Sequence, residues 1–134
     1  MKPLILSAMT AATVILPAGA FAMPEVSDLR TEALETPLGL DIEKPRFYWK
    51  LNDPRRGARQ TAYQILVATS PDLLAQDKGD VWDSGRIESD QSVHVPYGGP
   101  ALRPRTRYHW LVRVWDHEGK QVSTPRPTWW ETGI

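Results

Sequence analysis

Cysteine is absent from the 134 residues, so no disulfide framework can form, and a lipid anchor, which needs a cysteine after the cleavage point, is excluded. Excess charge is absent too. The 16 basic and 16 acidic side chains cancel, which leaves no surplus of Lys and Arg to neutralise phosphates and argues against nucleic acid as a partner. A membrane-spanning helix needs roughly 20 apolar residues; the uncharged run from Leu4 to Leu16 has 13. Neither a phosphate-cradling glycine pattern nor a Gly-x-Ser-x-Gly elbow occurs. The length leaves room for one domain and excludes an eight-stranded α/β barrel.

Twelve prolines and six tryptophans are present, with 41% hydrophobic residues, a composition of folded rather than low-complexity chain. The first 22 residues read as a cleaved secretory signal: Lys2, the Leu4–Leu16 run, a break at Pro17 and Gly19, then Ala20-Phe21-Ala22 as the small-x-small cleavage pattern near Ala22. Residues 23–134 are then the mature chain, expected to be secreted or periplasmic and to gain its stability from core packing alone.

In the mature chain apolar residues recur with period two. Phe47, Trp49 and Leu51 alternate with Arg46, Tyr48 and Lys50 in a strand over 45–51. Tyr63, Ile65 and Val67 oppose Leu66 and Ala68 in a strand over 60–69. Further strands are expected over 29–34, 82–85, 91–96, 105–115 and 128–132, with Asp116-His117-Glu118-Gly119 closing a hairpin. Ser70-Pro71-Asp72-Leu73-Leu74 has the N-cap and first-turn proline of one helical turn. About seven short strands spaced by turns make an all-β sandwich. Leu102, Pro104, Thr106 and Tyr108, at every second residue, look like the tyrosine corner of fibronectin type III domains, where the phenol hydroxyl ties a loop to the sheet.

Chemistry is scarce. His94, His109 and His117 lack the short spacings of a metal site, and no cofactor is implied. Asp80, Asp83, Glu88 and Asp90 decorate turns, where such residues bond to nearby backbone, and nothing makes a glycosidase pair of them. One feature points outward. Opposite the core face of the two long strands, Leu66, Leu111 and Trp115 are expected to form an apolar outer patch, joined by Trp129 or Trp130, since alternation buries only one of that pair. Docking against another domain, or an aromatic platform for sugar, would each use it.

The blocks Leu29-Arg30-Thr31-Glu32, Pro37-Leu38-Gly39-Leu40-Asp41 and Pro45-Arg46-Phe47-Tyr48-Trp49 resemble the opening of bacterial α-L-rhamnosidases of glycoside hydrolase family 78. So do the stretches 59–68, 81–92 and 108–116 and the block Trp130-Glu131-Thr132-Gly133, with Trp82-Asp83-Ser84-Gly85 and Glu88-Ser89-Asp90-Gln91 together the most specific. The resemblance implies an N-terminal fibronectin type III or immunoglobulin-like β-sandwich over residues 23–134, followed in that family by further β-domains and an (α/α)6 barrel that cleaves terminal α-L-rhamnose with inversion. The family's catalytic carboxylates lie in the barrel, so no catalytic residue is carried over here. The expectation is thus a fragment or truncated product: a non-catalytic sandwich whose partners are later domains of the same polypeptide and, through the parent enzyme, rhamnose-containing glycans. The alternative is a stand-alone carbohydrate-binding module using Trp115 with Trp129 or Trp130, and a weaker one a small secreted hydrolase.

Overall fold

The computed structural model describes residues 23–134, and the leader expected over 1–22 lies outside the described residues. Period-two alternation becomes strand wherever one face meets apolar side chains of a second sheet. The elements are β1 (Glu25–Thr31), β2 (Arg46–Asn52), β3 (Ala62–Ala68), α1 (Pro71–Ala75), β4 (Trp82–Asp83), β5 (Val95–Pro96), β6 (Arg107–Trp115) and β7 (Thr128–Glu131). They form two antiparallel sheets, ordered β1-β2-β5 and β4-β3-β6-β7.

Between the sheets lies one aromatic-rich core. Phe47 and Trp49 from β2 meet Tyr63, Ile65 and Val67 from β3, Trp110 and Val112 from β6, and Trp130 from β7. Phe47 sits 4.5 Å from Trp110 and 5.5 Å from Trp130, centroid to centroid. Each such side chain, buried rather than exposed, contributes roughly 1.5–3 kcal/mol, so the core does without disulfides. The tyrosine corner is present: Tyr108 Oη accepts the Arg103 amide at 2.7 Å, and Leu102 packs on the core below it.

The largest departures from the expected boundaries are in the first strand and in the one expected over 91–96; the stretches 82–85 and 105–115 also shorten, to Trp82–Asp83 and Arg107–Trp115. The first strand begins at Glu25 rather than Leu29 and stops at Thr31, because Thr31 and Leu34 exchange 2.9 Å backbone hydrogen bonds around a tight turn. Glu32 and Ala33 occupy that turn with φ of 52° and 62°, a conformation better suited to Asn-Gly. Arg46 steadies it, giving its amide and guanidinium to the Glu32 carboxylate at 2.7–3.2 Å. The strand expected over 91–96 shrinks to Val95–Pro96, since His94 has φ of 53° and breaks the extended run.

Candidate interaction surfaces

The outer face of the four-stranded sheet is where the expected patch would lie. On β6 the outward side chains are Arg107, His109, Leu111, Arg113 and Trp115, opposite the core-facing Tyr108, Trp110, Val112 and Val114. Leu66 stands directly across from Leu111 in the β3–β6 register. Both are buried, at 1% and 4% exposure, so the expectation of an open patch there is corrected. The chain supplies its own cover. α1 leaves β3 after Ser70, whose hydroxyl caps the Leu73 amide, and lays Leu73 and Leu74 over Leu66, Ala68 and Leu111.

The tryptophans do not make a platform with these leucines. Trp115 is four residues beyond Leu111, roughly 14 Å along the strand, and the Arg86 guanidinium lies 4.6 Å over its ring. Trp129 pairs with His109, six residues from Trp115 and so roughly 20 Å away. Its ring is covered by Arg107 at 3.7 Å, and Arg107 in turn bonds Glu131. Trp130 is fully buried in the core, as alternation required of one of the pair. The outer face therefore carries two half-buried, cation-capped indoles at opposite ends, with α1 between.

Several titratable groups of the turns and strands are engaged locally. Asp80 accepts from the Thr69 amide and hydroxyl, and Asp83 from the Gly85 amide and Gln64 side chain. Burial and then the nearby Arg107 push the His109 imidazole below its usual value. Burial, with a lesser effect of Tyr108, pushes the Tyr97 phenol up to about 12, and its hydroxyl donates to the Pro100 carbonyl at 2.7 Å. Among the described residues no three His, Asp or Glu side chains gather as a metal ion would require, and no helix is long and apolar enough to cross a membrane.

A different surface was missed by strand reasoning. Where β7 ends, the block 130–133 meets the β1–β2 connection. Glu131 donates its amide to Pro37 O at 2.9 Å, Leu40 donates to Glu131 O at 2.9 Å, and Gly133 donates to Leu40 O at 3.1 Å. Gly133 suits that approach: a Cβ there would meet the carboxylate of the exposed Asp41, which would have to turn aside. Beside the clamp opens a cleft of about 640 Å³ lined by 40–44, 99–104 and 132–134. The only sequence hint was Leu38, Leu40 and Ile42 alternating in a segment that forms no strand.

A family model described as Rha78A-like, N-terminal immunoglobulin domain matches residues 26–134. The chain is similar to an α-L-rhamnosidase of Streptomyces avermitilis, 50% identical over 109 residues that make up 81% of this chain and 10% of that protein. It is similar to one of Formosa agariphila at 37% identity over 102 residues, 76% of this chain and 11% of the relative. The crystal structure of the Streptomyces avermitilis α-L-rhamnosidase complexed with L-rhamnose matches with a TM-score of 0.79 at 49% identity, over 83% of this chain and 11% of that one. The α-L-rhamnosidase of Dictyoglumus thermophilum gives 0.78 at 37% identity, over 81% and 12%. The chain thus spans 10–12% of the length of these relatives. With its two antiparallel sheets and a family match running from Val26 to Ile134, this chain belongs to the Rha78A-like N-terminal immunoglobulin domains.

Proposed function

We propose that this chain is the non-catalytic N-terminal β-sandwich of an exported α-L-rhamnosidase, and that it docks onto later domains of the same polypeptide and holds them around a sugar-cleaving barrel. The observation that carries this reading is the family match across 26–134 set against a coverage of 10–12% in α-L-rhamnosidase relatives. The fate of two of the candidate carboxylates supports it: Asp80 and Asp83 are occupied by turn hydrogen bonds.

The test is hydrolysis of an aryl α-L-rhamnoside. The full-length product of the parent gene is expected to hydrolyse it, and purified residues 23–134 to leave it untouched. Turnover by the isolated sandwich would sink the proposal. Export is checked separately. Expression with residues 1–22 attached is expected to yield secreted or periplasmic protein whose first residue, by mass spectrometry, is Met23.

A further inference from the structure

We infer that the cleft beside the β7 exit is the surface onto which the next domain of the polypeptide docks, an inference that rests on the accessory-domain reading above. The exposed apolar side chains select this end of the sandwich. Of the seven large hydrophobics exposed among the described residues, Leu34, Leu38 and Ile42 belong to the β1–β2 connection and Ile134 to the exit itself, at 93% exposure. The other broad surfaces are already dressed. On the outer face of β2, Arg46 is paired with Glu32, Lys50 with Asp28, and Tyr48 with His94. The outer face of the four-stranded sheet lies under α1 and two arginines.

The cleft has the make-up of a protein interface. Leu40, Ile42, Leu102 and Ile134 are ringed by charges of both signs, Asp41, Glu43, Lys44 and Arg103. The occupant follows from connectivity. A family of N-terminal domains joins its remainder at the Thr132–Ile134 side, and the matched region is only 10–12% of the relatives' length. The exit is also immobilised: besides its bonds to Pro37 and Leu40, Gly133 accepts the Arg105 amide at 2.8 Å, and Thr132 Oγ1 accepts the Thr106 amide at 2.9 Å. Chain leaving this clamp emerges at the cleft in a set direction, with exposed leucine and isoleucine on its flank.

Hydrogen exchange by mass spectrometry, on the full-length parent protein and on residues 23–134, tests this. Segments 39–44 and 101–103 are expected to exchange roughly tenfold slower or more in the full-length protein, while 72–80 around α1 exchange alike in both. The double substitution Leu38→Asp with Ile42→Asp, at exposed positions, is expected to abolish that protection and leave the melting temperature of the isolated sandwich unchanged. Equal exchange of 39–44 in both forms, or protection confined to 107–115 and 129, overturns the inference. A full-length protein that cleaves the aryl rhamnoside yet leaves the cleft unprotected refutes the docking site alone; one with no such activity refutes the accessory-domain reading.

Discussion

Gln60 satisfies three groups with one buried side chain. Its Oε1 accepts the Trp49 indole N–H at 2.8 Å, while its Nε2 donates to Ser89 O at 3.0 Å and Gln91 O at 2.8 Å. Replacing it by Leu leaves a buried indole donor without a partner, a loss of about 1–3 kcal/mol. Urea denaturation of Gln60→Leu is expected to show that loss, with faster proteolysis between Glu88 and Gln91. Tyr108→Phe deletes the corner bond to Arg103 and is expected to cost a similar amount in the same titration. The two residues differ in how readily they are read from sequence. Tyr108 announces itself because Leu102, Pro104 and Thr106 stand at fixed local offsets. Gln60 does not, because its acceptors lie 29 and 31 residues away on a loop without regular structure. The Glu32-Ala33 turn was hidden for the opposite reason: the signal is local, but neither residue type favours a positive φ.

At the scale of elements, α1 was legible as a helical turn and illegible as a lid. Ser70, Pro71 and the following leucines carry the capping and the apolar side. Nothing in five residues says where on the sheet that turn will rest. Its landing on Leu66 and Leu111 is a tertiary outcome, set by the path of the chain from β3 to β4, and it explains why two outward leucines are not an interface. Leu74, 2% exposed, is the key contact, and Leu74→Ala is expected to destabilise the domain by about 2–5 kcal/mol. The variant should also bind a hydrophobic dye more strongly before it unfolds, as Leu66 and Leu111 become accessible. No added dye signal would mean that the leucines have another cover. The strands fared better: each of the seven expected stretches overlaps one of the seven strands, with ends displaced by up to four residues, and His94, with its positive φ, cuts one of them short.

Across the whole molecule, acid is the expected weakness. The β6 hairpin turn is organised by Asp116, whose carboxylate accepts the amides of Glu118 and Lys120 and shares Arg55 with Asp53. Burial would raise Asp116, but Arg55 and the two amides outweigh it and hold the carboxyl low; Arg55 does the same, against a smaller burial effect, for Asp53. Both folded-state values lie below the ordinary Asp value of about 3.9. Their contribution is therefore complete above that pH and disappears as the pH falls through the lower folded values. His109 adds a separate step: its lowered value means the unfolded chain takes up the proton more readily, so stability falls as the pH drops through about 6.5. Urea midpoints are expected to decline from pH 7 to pH 3, and Asp116→Asn to flatten the acid part of that decline; an unchanged profile would remove Asp116 from the account.

The clamp between Gly133 and the β1–β2 connection also sets a local concentration. Chain that leaves at a fixed point beside an apolar cleft meets that cleft at roughly millimolar effective concentration. A contact with a two-molecule Kd of about 10 μM would then be about 99% formed within one polypeptide while barely detectable between separate pieces at nanomolar levels. Mixing the sandwich with its severed remainder would accordingly understate their association.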